Sequence, residues 1–381
     1  MLTLYDTKTK QAEPIGGIRR GELRMYSCGP AAYRYAHIGD LRSFLLPDLI
    51  RRAAERRGMQ VIAGQNITDV GHPADDSEID SARHYEDAFR ADLAALNIRP
   101  ADHTPRTSES IDLIIDMIGR LIDGGHAYAT ADGSVLFDAR SFAGYGELSG
   151  HRSPADWALW QGAGGRQDPT WAAPWGAGFP GGHTECSAML LHHLGEHVDI
   201  QTGGIGLRFP HHENERAQSN SLAGREVVAH WVHGEHLLFA GGTMSQSAGN
   251  VVLLCDLTGR GLDPLALRLA FLEQRYRQQL NLSWDTLTTA DRTLRRWRER
   301  VADWADLPSA AMPAGYADAF TAAFDDDLDT PAALRELRAL ERDEAVPAGA
   351  KFETFAHLDR LLGLDLARDV GRPRRSVRTT T

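Results

Sequence analysis

The sequence predicts an α/β fold: a Rossmann-like parallel sheet with a helical insertion, followed by a helical bundle. Two observations carry this reading. LRMYSC (23–28) alternates like a strand, HIGDLRSFLLPDLIRRAAERRGM follows with helical spacing, and QVIAGQNITDV (60–70) returns to strand character. That succession is the strand–turn–helix–strand opening of a parallel sheet. From Asp263 onward, by contrast, the pattern is helical almost throughout.

In the first helix, apolar positions 41, 44, 45, 49 and 53 share one face, the periodicity of a helix laid on a sheet. SARHYEDAFRADLAALNI and SESIDLIIDMIGRLIDGG read as two insertion helices, within about 80–130. GSVLFDA (133–139) is a short strand, and 141–182, rich in Gly, Pro and Trp, is expected to be loop. HVDIQTGG and VVAHWVHGEHLLFAGG supply further strands around an HHENERAQSNS helix. LALRLAFLEQRYRQQL, TTADRTLRRWRERVADWA and DDDLDTPAALRELRALERD then read as bundle helices. The domains are therefore expected at 1–255 (catalytic), 256–366 (bundle) and 367–381, a basic tail without apolar periodicity that reads as disordered.

Composition narrows the class. Hydrophobic content is 42% over 381 residues, enough to bury a large core. The apolar runs are short and broken by charge, so no membrane partner is expected and the protein reads as cytoplasmic. Three cysteines cannot build a disulfide framework. A net charge of −11 argues mildly against an extended nucleic-acid surface but leaves room for a local basic patch. Lys8, Lys10 and Lys351 are the only lysines, so every basic side chain from 11 to 350 other than histidine is an arginine.

The densest chemistry lies in HTECSA (183–188) and FPHHENE (209–215). His211 and Glu215 are one helical turn apart and share a face. With Cys186 and the upstream Cys28 they offer two sulphurs, one nitrogen and one oxygen, a set that suits Zn²⁺ better than Mg²⁺ or Ca²⁺. The alternative is a pair of ordinary buried cysteines beside a solvated helix face. Cys255, flanked by aliphatics in VVLLCDL, reads as plain core.

With these residues in place, the chain resembles the cysteinyl-tRNA synthetase family and its relative, the mycothiol-pathway ligase that joins cysteine to a glucosaminyl-inositol. The resemblance runs through TLYDT, YSCGPAAYRYAHIGD, QNITD, GGHAY, HTECSAM, FPHHENERAQS, DDDLDTP and LLGLDL. It implies a class I synthetase fold, ATP with Mg²⁺ as substrate, and an aminoacyl-adenylate intermediate. It also implies Cys28, Cys186, His211 and Glu215 as ligands of a zinc that binds the substrate thiolate, selecting sulphur over oxygen.

The ATP signatures usually written HIGH and KMSKS here read HIGD (37–40) and TMSQS (243–247). His37, Gly39 and Asp40 then stand at a helix N-terminus, which favours an anion, together with Thr243, Ser245, Gln246 and Ser247. Asp40 is expected to oppose a nearby triphosphate by about 4 kcal/mol at ~4 Å and an effective dielectric near ~20. Thr243 and Gln246 remove two positive charges, which Arg208 or Mg²⁺ would have to replace. Gly203 and Gly204 permit close approach to nucleotide. Gly29, Asn66, Thr68, Asp69, Gly182 and Gly206 are the candidate substrate contacts. Gly182 stands where the family carries a tryptophan, and Gly206 where it carries an aspartate. Thr68 and Asp69 could equally cap a strand end.

Three functions follow. The favoured one is ATP-dependent activation of cysteine or a related amino acid and transfer to a small-molecule amine, as in the mycothiol ligase. No anticodon-binding region is visible after LLGLDL, which supports it, although 145–160 looks shortened where that ligase carries its own ERGGDP signature. The second is a truncated cysteinyl-tRNA synthetase that charges tRNA. The third is a zinc-binding relative that no longer adenylates.

Overall fold

The computed structural model describes residues 1–71, 78–151, 155–165, 169–245 and 249–372. Its centre is a four-stranded, all-parallel sheet in the order Val228–Gly234, Val198–Gly204, Glu22–Ser27, Gln60–Gln65. All four strands are rich in buried positions because helices cover the sheet.

Helix α1 (Ile38–Arg56) crosses from the Glu22–Ser27 strand to Gln60–Gln65 and buries Leu41, Phe44, Leu45, Leu49 and Ala53, the face the sequence predicts. Two helices of the insertion follow, α2 (Glu78–Ala95) and α3 (Ile111–Asp123). α2 lies against α1, with Phe89 edge-on to Phe44. α3 turns Ile111, Ile114, Met117, Ile118 and Leu121 inward.

Beyond α3 the chain does not become loop. Ala127–Ala129, Val135–Phe137, Trp157–Gly162 and Gly178–Pro180 form an antiparallel sheet. The two latter strands fall inside the stretch read as loop. They form because Leu159 and Trp160 are fully buried in the cluster that contains Ile114 and Ile118. Flanking glycines concealed the short apolar core of WALWQG.

α4 (Gly182–Leu194) and α5 (His211–Ala223) pack side by side over the sheet. A short helix α6 (Leu254–Gly259) leads into α7 (Pro264–Leu272), α8 (Trp284–Ala305), α9 (Ala314–Asp325), α10 (Thr330–Arg342) and α11 (Ala348–Leu362). The helix expected over 265–280 stops at Leu272, and Leu280–Leu282 pairs as a strand with Leu237–Phe239. Cys255 is exposed rather than core: its neighbour Leu254 takes the buried side of α6. Gln246, Ser247 and residues 373–381 of the tail lie outside the described residues.

The C-terminal helices are joined to the half that holds the parallel sheet by a buried ion pair. Arg268 of α7 donates to Asp48 of α1 at 2.6 Å, and both side chains are fully buried. Arg52 binds the same carboxylate at 2.8 Å. Arg268 also donates to the carbonyls of Leu96, Asn97 and Leu362. Every charge is thus paired, the condition under which a buried pair is tolerated. Among the described residues, no helix is long and apolar enough to cross a membrane.

Candidate metal centre and nucleotide cavity

The Glu22–Ser27 strand has its sequence successor, Gln60–Gln65, on one side and Val198–Gly204 on the other. The strand order therefore reverses between the first and third of these, and an open parallel sheet leaves a crevice at the carboxyl ends of such strands. Both candidate sites stand there. Ser27 Oγ and Thr202 Oγ1, at the two strand ends, share a hydrogen bond of 2.6 Å.

Cys28 follows the first strand, Cys186 lies in the second turn of α4, and His211 and Glu215 occupy the first turns of α5. Their ligand atoms all fall within 4.8 Å of one another. The donor set fits a zinc ion. His211 Nε2 is 2.6 Å from Glu215 Oε1 yet makes no hydrogen bond of acceptable geometry, as expected of lone pairs aimed at a shared centre rather than at each other. The electrostatics of the cluster also call for positive charge. Burial, Cys186 and Glu215 push the Cys28 thiol well above its usual pKa. Burial opposes protonation of His211, but Glu215 and Cys186 outweigh it and raise its pKa well above that of an ordinary imidazole. A divalent cation would satisfy both groups at once.

Several surrounding residues were not singled out from sequence. Gln201, fully buried on the Val198–Gly204 strand, donates through Nε2 to Glu215 Oε2 and, at 3.6 Å, to Cys28 Sγ. His212 Nε2 approaches Cys28 Sγ at 3.3 Å, while its Nδ1 meets His233 Nε2 at 2.7 Å and His233 Nδ1 meets Thr7 Oγ1 at 2.8 Å. Burial holds His212 well below its usual pKa and His183 and His233 down to about 3, so these rings are neutral. The HH doublet was the available signal for His212, but i,i+4 spacing selects only its neighbour.

A cavity of about 490 Å³ opens beside the cluster, within the range of small-molecule sites. Cys28 belongs to both, since it also lines the cavity with Gly29, His37, Gly39, Asp40, Gly203, Gly204, Gly206 and Thr243. Two glycines are required by close approach: a Cβ on Gly29 would sit 1.6 Å from the Asn66 carbonyl oxygen, and one on Gly203 would sit 2.7 Å from His212 Cε1. At Gly206 the nearest atom to such a Cβ is 3.5 Å away, and at Gly182 nothing lies within 4 Å, so both positions have room for side chains.

The geometry corrects the reading of Asp40. His37 caps α1, accepting from Asp40 N at 3.1 Å, and the Asp40 carboxylate accepts from His37 N at 3.0 Å. Arg34 grips the same carboxylate, Nη1 at 2.7 Å and Nη2 at 3.3 Å. Asp40 is therefore an ion-paired capping residue and not a bare charge opposing phosphate. Arg208, proposed from sequence to compensate, is not among the lining residues, whereas Arg34 is.

Of the remaining candidates, Asn66 Oδ1 accepts from Gly29 N at 2.9 Å and thereby shapes the cavity from behind. Thr68 Oγ1 donates to the buried carboxyl of Glu185 at 2.9 Å, which Thr107 also binds at 2.8 Å. Asp69 accepts from Ser108 N and Oγ at 2.9 and 2.5 Å, so it fixes the turn before α3 and does not face the cavity. Ser245 N donates to Asn250 Oδ1, and Thr243 O accepts from Asn250 Nδ2, which hold the loop at the cavity mouth.

The chain is similar to known proteins over most of its length. The family model for the catalytic domain of class I (C) tRNA synthetases matches residues 15–292. A cysteine–tRNA ligase of Salinibacter ruber is 38% identical, over 95% of this chain and 84% of its own length. One from Opitutus terrae is 39% identical, over 88% and 80%. Among solved structures, Mycobacterium tuberculosis methionyl-tRNA synthetase bound by methionyl-adenylate superposes with a TM-score of 0.64 at 15% identity, covering 90% of this chain and 92% of that one. The leucyl enzyme of Agrobacterium radiobacter K84, in complex with tRNA, gives 0.67 at 10% identity, covering 92% and 84%. At such identities these two speak for the fold alone.

Proposed function

Since the chain belongs to the cysteinyl family of class I tRNA synthetases, we propose that it activates cysteine with ATP and passes the cysteinyl group to tRNA. The observation that carries this reading is the position of Cys28, which stands in the four-ligand cluster and in the wall of the cavity at once. An amino acid held at the cluster by its sulphur would thus present its carboxylate to a nucleotide in the cavity.

Zinc bound by Cys28, Cys186, His211 and Glu215 would supply affinity for a soft thiolate over a hydroxyl. The chain's own residues do the rest. Gln201 orients Glu215, and neutral His212 borders Cys28. Gly29, Gly203 and Gly204 admit the nucleotide's close approach, and the amino end of α1 at His37 and Gly39 offers its dipole to phosphate. In activation the amino-acid carboxylate forms a bond to the α-phosphorus while the bond to the bridging oxygen breaks, releasing pyrophosphate. In transfer a terminal ribose hydroxyl of tRNA bonds to the acyl carbon, its proton is taken up by solvent or phosphate, and AMP leaves.

This reading takes tRNA as acceptor over the small-molecule amine that the sequence favoured. The relatives that match this chain over most of their own length are ligases of tRNA. The ion pair of Asp40 with Arg34 weakens one argument for a non-adenylating relative, that of a bare negative charge at the head of α1. The test has two stages. Cysteine-dependent exchange of labelled pyrophosphate into ATP is expected, and then acid-stable attachment of cysteine to a tRNA-Cys transcript. Exchange without charging would return the small-molecule acceptor, and no exchange would reject activation altogether.

A further inference from the structure

Polyphosphate recognition needs positive charge, and here that charge is concentrated in one side chain. Among the described residues lining the cavity and the adjoining groove at its mouth, Arg34 is the one Lys or Arg. The other lining groups of formal charge, Asp40 and Glu235, are acids. No lysine lies between Lys10 and Lys351 to take its place. The nearby Arg42 is committed elsewhere, to the carbonyl oxygens of Glu235, His236, Arg275 and Gln278. Met244, beside Thr243, shares both the cavity and the groove with Arg34.

Arg34 holds Asp40 through both of its terminal nitrogens, and each side chain is 28% exposed. A guanidinium fork that fits a carboxylate fits a phosphate equally well. Asp40 is also anchored independently, by His37 N, so releasing Arg34 leaves the helix cap intact.

We propose that Arg34 binds the β- and γ-phosphates of ATP, exchanging its carboxylate partner Asp40 for phosphate oxygens when the nucleotide enters. This rests on reading the cavity as an ATP site. Asp40 then sets the availability of the guanidinium: it pre-orients the fork and competes with the nucleotide for it.

The experiment titrates the full chain with ATP and with AMP, by calorimetry, for the wild type, R34A, R34K and D40N. R34A is expected to weaken ATP about ten- to a hundredfold, the loss of a charge-assisted fork, while AMP, which lacks the distal phosphates, stays within about twofold. R34K should recover part of the loss, since it keeps the charge and not the fork. D40N, whose amide oxygen can still accept from His37 N, should tighten ATP by freeing the guanidinium. An equal loss for ATP and AMP in R34A would mean that Arg34 only shapes the cavity, and would overturn the assignment. Unchanged ATP affinity in R34A beside a binding wild type would overturn it while leaving the parent reading intact. A wild type that binds neither nucleotide would overturn both.

Discussion

Gln201→Leu separates the metal centre from the scaffold that holds it. The amide is fully buried, its Nε2 serves Glu215 and Cys28, and its Oε1 has no hydrogen-bond partner. Leucine, of similar volume, removes one charge-assisted hydrogen bond to a ligand carboxylate, worth about 1.5–3 kcal/mol. It also removes an unsatisfied buried acceptor whose cost is about 1–3 kcal/mol. The two nearly cancel in the metal-free protein, so its urea midpoint should move little. They do not cancel in metal binding, because a freed Glu215 must be reordered each time the ion arrives. Zinc affinity should fall about 10–100-fold, the usual cost of losing a partner that orients a ligand. Competition against a chromophoric chelator measures it directly. Unchanged zinc affinity would refute the orienting role, and a large loss of metal-free stability would show that Gln201 is structural instead.

Wild-type protein should carry about one zinc per chain, and Cys186→Ser should lose it; elemental analysis finding no zinc in the wild type would sink the metal assignment. Gly182→Trp should fold, since no atom lies within 4 Å of a Cβ there. It should also cut pyrophosphate exchange with homocysteine relative to cysteine by about tenfold or more, and equal use of the two by both proteins would refute a specificity role. Burial raises Asp92 to a pKa of about 6. A carboxyl raised in the folded state contributes stability that is complete below its unfolded pKa near ~3.9 and is lost as pH rises through about 6. Asp92→Asn should therefore flatten that slope and raise the melting temperature above pH 7, and parallel pH profiles for the two proteins would exclude the assignment.

The four-ligand set was legible from sequence because thiolate, imidazole and carboxylate declare their chemistry by residue type, and i,i+4 spacing places His211 with Glu215 without any tertiary knowledge. The first βαβ unit was legible for a similar reason, since α1 is long and its apolar positions 41, 44, 45, 49 and 53 recur at helical spacing between two apolar strands. Asp40 was misjudged because its carboxylate is gripped by Arg34, six residues earlier in a loop whose path no periodicity records. The partners of Asp69 and Thr68 were hidden for the same reason: Ser108 and the buried Glu185 are distant in sequence. Strands of three to six residues such as Trp157–Gly162 and Gly178–Pro180 are too short to show an alternation among glycines. Cys255 shows the limit of local composition, because aliphatic neighbours do not say which side of a short helix a residue takes.

The pairing of Asp48 with Arg268 makes the two halves inseparable as reagents. A fragment ending near residue 255 would keep Asp48 with Arg52 and Arg99 but discard Arg268, its fully buried partner, from the middle of the helix that His37 caps and whose first turn carries Gly39 and Asp40. Breaking such a pair by removing one partner typically costs about 3–5 kcal/mol, a large share of what holds a domain folded. Truncations, fusions and crystallisation fragments should therefore keep 256–366 attached. Activity lost on trimming that region would report damage to α1 before it reported anything about tRNA.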